Sequence, residues 1–262
     1  MVSLAVAMGI GRFAFTPLLP MMLADGVVTL PEASWLASMN YLGYLVGALL
    51  CMLQPWIRRH LGVHTVLNAP LWVCSGLVST VVLTLGMALH VPAVWPLLRF
   101  AAGVASAVVF VYTSGWCLAQ LARLGQPSMG ALIYIGPGAG ITLSGLIASG
   151  TVALDGTAWV GWLIFGGLAI ALNSVIWPTL RAGSESPIAP AITPATPTQA
   201  VGQGSKTEMG LLTVAYGLAG FGYIITATFL PVIARQSIPG SPWLDLFWPL
   251  FGVGVMVGAV VA

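Results

Sequence analysis

The fold of this chain is decided by residues 9–20, Gly-Ile-Gly-Arg-Phe-Ala-Phe-Thr-Pro-Leu-Leu-Pro, which place the charged Arg12 halfway along an apolar run. The frame Gly-x-Gly-x7-Leu-Pro returns in residues 220–231, at an offset of 211 residues. At the same offset, Gly43 in the next apolar run corresponds to Gly254. Self-similarity at a fixed offset is typical of internal duplication. The sequence therefore predicts two helical hairpins of one design, far apart in one chain.

The composition excludes a water-soluble globular protein. Hydrophobic residues make up 58% of the chain and charged residues 5%, whereas soluble domains carry about 25% charged residues. Long apolar runs separated by short Gly, Pro or charged interruptions indicate membrane-spanning helices. Cys51, Cys74 and Cys117 lie far apart within these runs and predict neither a disulfide framework nor a metal site. We expect an all-α membrane protein.

Eight apolar runs are each long enough to cross the roughly 30 Å apolar layer of a membrane, which takes about 20 helical residues. We number the predicted helices α1 (2–24), α2 (33–55), α3 (65–89), α4 (94–119), α5 (128–153), α6 (158–180), α7 (208–234) and α8 (243–262).

Basic residues concentrate in the connections after the even-numbered helices, at Arg58, Arg59, Arg123, Arg181 and Lys206. The other connections contain Arg235 as their only base, and they contain or adjoin Asp25, Glu32, Asp155 and Asp245. By the positive-inside rule, this asymmetry predicts a multi-pass protein with its N-terminus in the cytoplasm.

Residues 181–207 interrupt the helical pattern. Four prolines alternate there with Ala, Thr and Ser, which predicts a disordered cytoplasmic linker. This linker separates a complete N-terminal six-helix bundle, residues 1–180, from residues 208–262, the first two helices of an incomplete C-terminal bundle.

The two copies of the repeat enter the membrane from the same face, because α1 and α7 are six crossings apart. The duplication is therefore parallel, as in transporters built from two like-facing six-helix halves. At this offset Cys51 corresponds to Ala262, so residues 52–180 have no counterpart. We expect the sequence to be a fragment of a twelve-helix protein.

Arg12 is the strongest candidate for a functional residue. Eleven residues into a helix that rises 1.5 Å per residue place it about 16 Å deep, near the middle of the membrane. Burial there costs about 2.5–3.5 kcal/mol, so Arg12 should face an aqueous cavity or a partner. We expect it to bind the carboxylate of an amphipathic organic anion, with Thr16 one turn away and Tyr223 at the corresponding place in the repeat. The alternative is a structural arginine that donates to backbone carbonyls.

Three other residues are candidates for the translocation path or for coupling. Arg99 is either functional or extends to the membrane surface near Trp95. Asn40 is a polar residue on a stripe of small residues in α2 and could line the path. Tyr134 lines a cavity or packs in the core.

The segment Gly136-Pro137-Gly138-Ala139-Gly140 lies in the middle of predicted α5. Proline removes a backbone donor and the glycines permit bending and close approach, so Gly136, Pro137 and Gly140 form a hinge, a tight packing seam, or both.

The sequence contains no Walker loop, Ser-His-Asp constellation or nucleic-acid motif, so we expect neither an enzyme nor a nucleic-acid partner. We also expect no metal and no cofactor. The carboxylates lie at helix ends or in connections. A coupling acid would therefore be Asp25, Asp245 or a residue of the absent portion.

Several stretches resemble the major facilitator superfamily of transporters. Residues 99–107, an arginine followed by Gly103 and small residues, resemble its helix-4 motif, and Gly136-Pro137-x-x-Gly140 resembles the motif of its antiporter branch. Residues 9–20 and 35–44 resemble the YbfB/YjiJ group of bacterial members. Residues 59–64 keep the glycine of the loop between α2 and α3 but lack its Asp, so we do not expect that loop's charged latch.

The resemblance implies a major facilitator fold in the bacterial inner membrane. It also implies a role for Arg99 in proton transfer or coupling, and for Gly136, Pro137 and Gly140 in the conformational change. We expect a secondary transporter of a small organic solute that rocks two bundles about a central site. Proton-coupled efflux is the first expectation, uptake by symport the second, and a non-transporting sensor or scaffold the alternative from another class.

Overall fold

The computed structural model describes residues 1–62, 68–184, 206–238, 241 and 243–261. In these ranges, seven helices are long and apolar enough to cross a membrane. They are α1 (Val2–Ala24), α2 (Leu30–His60), α3 (Ala69–Gly86), α4 (Trp95–Arg123), α5 (Ile135–Ala153), α6 (Ala158–Ser184) and α7 (Lys206–Ser237). The prediction of an all-α membrane protein is confirmed.

The eighth predicted crossing is shorter than we expected. Helix α8, Phe247–Val261, has 15 residues, which correspond to about 22 Å at 1.5 Å per residue. Short 3-10 turns precede three of the helices, at Pro92–Val94 before α4, Pro127–Tyr134 before α5 and Leu244–Leu246 before α8.

Capping residues mark the starts of two helices. The backbone N–H of Thr29 donates to Glu32 Oε2 at 2.7 Å in a capping box, so α2 starts at Leu30 and not at residue 33. The Asn68 side chain accepts from the Leu71 N–H at 3.3 Å, so helical structure in α3 begins after Asn68. The predicted start of α3, at residue 65, lies outside the described residues.

Helix α1 lies at the centre of the bundle, where 89% of its most apolar stretch of 18 residues is buried. It contacts α3, α4, α5 and α6 through its first half and α7 through its second half. Around it, α2 packs along α4, α3 packs between α4 and α6, and α8 packs along α5. The only arginine of α1 is therefore surrounded by other helices.

Most of the predicted linker, residues 181–207, lies outside the described residues. Helical structure continues to Ser184 at the end of α6 and is present from Lys206 in α7.

Candidate functional site

Helix α1 spans Val2–Ala24, the bounds that the sequence predicted, but most of its first half is not an α-helix. Ala5–Arg12 forms a π-helix, and the Phe13 N–H bonds to the Met8 carbonyl, five residues back, at 2.9 Å. Pro17 has no N–H to give to the Phe13 carbonyl, which instead accepts from the Thr16 N–H at 3.1 Å. A π-segment within an α-helix is frequent at functional sites.

Two side chains of α4 bond to carbonyl groups of this π-helix. Ser106 Oγ donates to the Ala7 carbonyl at 2.8 Å, and Arg99 Nη2 donates to the Arg12 carbonyl at 3.2 Å. Arg99 is 3% exposed, and its guanidinium lies 4.7 Å from the centre of the Phe15 ring. The alternative in which Arg99 extends to the membrane surface is therefore wrong. Charge-assisted hydrogen bonds of this kind are stronger than neutral ones, so Arg99 stabilises the irregular backbone at Arg12.

Asn40 binds the backbone of α4 next to this contact. It is fully buried, and its Nδ2 donates to the Arg99 carbonyl at 2.9 Å. Its Oδ1 has no hydrogen-bond partner in the described part of the chain. Asn40, Arg99 and Arg12 thus form a hydrogen-bonded series from α2 through α4 to α1.

Three aromatic rings surround the Arg12 guanidinium. Its Cζ lies 4.1 Å from the ring centre of Tyr44, 5.2 Å from that of Phe13 and 5.6 Å from that of Tyr41. Arg12 is buried, and within the described ranges its Nε has no hydrogen-bond partner and no carboxylate lies at ion-pair distance. A cation on desolvated aromatic faces gains about 2 kcal/mol. The rings therefore offset part of the cost of burial but do not neutralise the charge.

Four aromatic rings extend from this site to α7, and we call them the aromatic ladder. Ring centres are 6.0 Å apart for Phe13 and Trp248, 5.2 Å for Trp248 and Phe251, and 5.9 Å for Phe251 and Tyr223. Trp248 is fixed by a hydrogen bond from its Nε1 to Ser144 Oγ, at 3.3 Å. The ladder ends at Tyr223, whose side chain is 44% exposed and which also interacts electrostatically with Arg12.

Contacts of α7 with the first six helices include a hydrogen bond between the Tyr41 hydroxyl and Thr228 Oγ1. Tyr41 is also one of the rings around Arg12, so the second part of the chain touches the arginine site through one intervening residue. Sequence reasoning did not identify Thr228.

Two further predicted residues lie in α1 and directly before α5. Thr16 is buried near the start of the α-helical second half of α1, which follows the π-helix. Tyr134 ends the 3-10 turn before α5, with its ring 5.9 Å from that of Phe110.

The glycines of α5 contact α1 on one face. A Cβ atom on Gly140 would lie 2.5 Å from the Ala5 carbonyl oxygen and 2.8 Å from the Gly9 Cα. A Cβ atom on Gly136 would collide with the Met1 carbonyl. Only glycine therefore fits at these two positions, against the π-helix at Gly140 and against Met1 at Gly136.

A second face of α5 contacts α8 in the same way. A Cβ atom on Gly138 would lie 2.8 Å from the Gly252 carbonyl oxygen, and one on Gly145 would lie 2.6 Å from Pro249 Cδ. Pro137 is buried. The glycine-rich segment is thus a packing seam on both sides of α5, and its role as a hinge stays a prediction.

A small, partly open cavity of about 30 Å³ lies beside Trp248, between α1, α5, α7 and α8. Its walls include Pro20, Ser149 and Pro231. The last residues of the two repeated frames, Pro20 and Pro231, therefore face the same space.

Sequence reasoning missed four aromatic residues of the site, namely Phe13, Tyr41, Tyr44 and Trp248. Tyr41 and Tyr44 are three residues apart in α2, and this spacing puts them on one helix face. The sequence therefore contained a signal for this pair of rings. No sequence pattern indicates that Trp248 lies against Phe13, because the contact depends on how α8 packs on α5.

Comparison with known proteins identifies the family. A family model described as "Uncharacterised MFS-type transporter YbfB" matches residues 4–262. No curated protein and no solved structure matches the chain. The match includes the π-helix, both buried arginines and the glycines of α5. With its membrane-spanning helices, the chain therefore belongs to the YbfB-like family of major facilitator superfamily transporters.

Proposed function

We propose that this chain belongs to a secondary active transporter of a small organic anion, and that Arg12 binds the anionic group. The observation that carries the proposal is the environment of Arg12, which is buried, lies on three aromatic faces and has no carboxylate partner among the described residues. An intramembrane charge of this kind marks substrate or ion pathways. An anionic solute would complete the site by supplying the missing negative charge.

The aromatic ladder supports an apolar or aromatic body for the solute. Its rings begin next to Arg12 and end at the partly exposed Tyr223. Ligand sites in proteins combine apolar and aromatic walls with a few polar groups that fix the orientation. The cation and the ladder would thus recognise the two ends of an amphipathic anion, with Thr16, Asn40 and Tyr134 as secondary candidates for the path.

Proton-coupled efflux by alternating access is the direction that we propose, from the antiporter-like motif in α5. Arg99 would couple proton movement to the site, because it bonds to the carbonyl of Arg12. Gly136, Pro137 and Gly140 would act in the conformational change through the contact of α5 with α1. We place the protein in the bacterial inner membrane with its N-terminus in the cytoplasm.

Flux into proteoliposomes tests the proposal with benzenesulfonate, a permanently charged aromatic anion, and with benzyltrimethylammonium as its cationic counterpart. We expect benzenesulfonate to enter and the cation to be excluded. Arg12→Ala should lower anion flux by roughly 30-fold or more, since a buried charged partner contributes about 2 kcal/mol or more. Arg123→Ala, which removes an exposed arginine at the end of α4, is the matched control.

The same assay separates the alternatives. Exchange with protons predicts that an acidic lumen drives accumulation of the anion, whereas symport predicts that an acidic exterior does so. A sensor or scaffold would bind benzenesulfonate without flux under either gradient. Equal anion flux in Arg12→Ala and wild-type vesicles contradicts the proposed site.

A further inference from the structure

A second cavity lies away from Arg12, at the end of the bundle where α1 ends and α6 begins. It is small, with an accessible volume of about 40 Å³, and is partly open to the surroundings. Three tryptophans line it, Trp95, Trp159 and Trp162, together with Asp25 and His90. Among the residues that the structure describes, neither Lys nor Arg lines it. The cavity therefore combines aromatic faces with one carboxylate.

The Asp25 carboxylate is fixed in position but not neutralised. Its Oδ2 accepts a hydrogen bond from the Ala158 N–H, the first N–H of α6, at 2.7 Å. A carboxylate at a helix N-terminus is favourable, which explains its orientation. In the described ranges Asp25 has no ion-pair partner and no further hydrogen bond. One of its oxygens is thus available to a ligand.

The tryptophans differ in what they offer a ligand. Trp95 Nε1 donates to the Leu89 carbonyl at 3.1 Å, which holds the residues after α3 against the cavity. Trp159 is 44% exposed, and its ring centre lies 6.2 Å from that of His90. Trp162 is buried, and its Nε1 has no acceptor within the described part of the chain. The wall therefore includes an accessible aromatic face and a donor that lacks an acceptor.

We propose that this cavity binds a primary ammonium group that carries an oxygen two carbons away, the chemistry of ethanolamine. The ammonium would pair with the free Asp25 oxygen and lie against Trp159, since cations bind aromatic faces. The oxygen would accept from Trp162 Nε1. The source is either the headgroup of phosphatidylethanolamine or free ethanolamine, because the cavity lies at the ends of membrane-spanning helices, where both are present.

The proposal is independent of the anion site. The two sites have opposite charge, since Arg12 is a cation without a carboxylate partner and Asp25 is a carboxylate without a basic partner in the part of the chain that the structure describes. They also share no lining residue. Binding at this cavity can therefore be measured separately from anion binding at Arg12.

The test uses the purified chain in detergent micelles, with tryptophan fluorescence as the readout. The probes are dihexanoyl-phosphatidylethanolamine, dihexanoyl-phosphatidylglycerol and free ethanolamine. Asp25→Asn keeps an oxygen for the Ala158 N–H and removes the charge. Asp155→Asn is the matched control, because it removes one charge from the connection between α5 and α6 at a residue that does not line the cavity. Asparagine tolerates the φ of 52° at this position.

We expect saturable binding of the ethanolamine lipid, at least tenfold weaker in Asp25→Asn and within twofold of wild type in Asp155→Asn. Competition by free ethanolamine at similar concentration would assign the site to the free amine, and binding of the lipid alone would assign it to the headgroup. The proposal is overturned if neither probe binds, if Asp25→Asn binds as tightly as wild type, or if phosphatidylglycerol binds equally well.

Discussion

Arg99 donates a hydrogen bond to the backbone carbonyl of Arg12 across 3.2 Å, so the two buried arginines of the site are joined through the main chain. The family resemblance assigns Arg99 to coupling, and we propose that Arg12 binds the solute. The contact is therefore a direct physical route between the two roles.

Replacing Arg99 with Met should destabilise the protein. The change leaves the Arg12 carbonyl without its donor, and loss of a hydrogen bond from a charged group costs about 1.5–3 kcal/mol. Unfolding in mixed micelles measures this cost. Arg123→Met, at the exposed end of α4, should change stability by no more than about 0.5 kcal/mol. Equal stability of both variants would show that the Arg99 contact contributes nothing.

Tyr44 should matter more through its ring than through its hydroxyl, which also interacts with Arg12. Its ring is the nearest of the three to the Arg12 guanidinium, at 4.1 Å. Tyr44→Phe keeps the ring and removes only the hydroxyl, so it should lower benzenesulfonate flux less than Tyr44→Leu does. Tyr44→Leu removes a cation–π contact of about 1–2 kcal/mol and should lower the flux by roughly 5- to 30-fold. Flux assays on both variants decide the point, and a larger loss in Tyr44→Phe than in Tyr44→Leu would contradict it.

Gly140→Ala should be destabilising, whereas Gly150→Ala in the same helix should not. The new methyl group on residue 140 would overlap the Ala5 carbonyl and Gly9, and Gly150 has no atom within 4 Å of the same position. Overpacking costs about 1–3 kcal/mol, while alanine in an open helical position stabilises by up to about 1 kcal/mol. Thermal unfolding in detergent should therefore shift in opposite directions for the two variants.

Gly252→Ala should slow transport through the contact between α5 and α8. Its methyl group would lie 2.5 Å from the Thr142 backbone nitrogen, whereas Gly254 has open space. We expect lower anion flux in Gly252→Ala and unchanged flux in Gly254→Ala, with both variants still binding benzenesulfonate in a quenching assay. Unchanged flux in Gly252→Ala would exclude a role for this contact in the cycle.

The sequence predicted the helices well, because the length of an apolar run and the Gly, Pro or charged residues that interrupt it are local properties. It placed their ends less well, since the start of α2 depends on the side chain of Glu32 bonding back to Thr29. The π-helix could not be predicted, because its carbonyls are bonded by Arg99 and Ser106 from a distant helix. Arg12 itself was identified from its charge and depth alone.

The candidate path was only partly predictable. Tyr223 was selected from the repeat, and it lies at the end of the aromatic ladder, but Trp248 and Phe251 connect it to Phe13. Such links depend on tertiary packing of α8, which a single sequence does not encode in any local pattern.

Helix α5 packs through glycines against α1 on one face and against α8 on another. Because a close-packed contact permits few intermediate arrangements, a displacement of α8 would strain the turn that carries the guanidinium. By thermodynamic reciprocity, an anion that prefers one arrangement of that turn must shift the position of α8 by the same free energy. Binding of the solute at Arg12 and movement of α8 relative to the first six helices would then be coupled in one equilibrium.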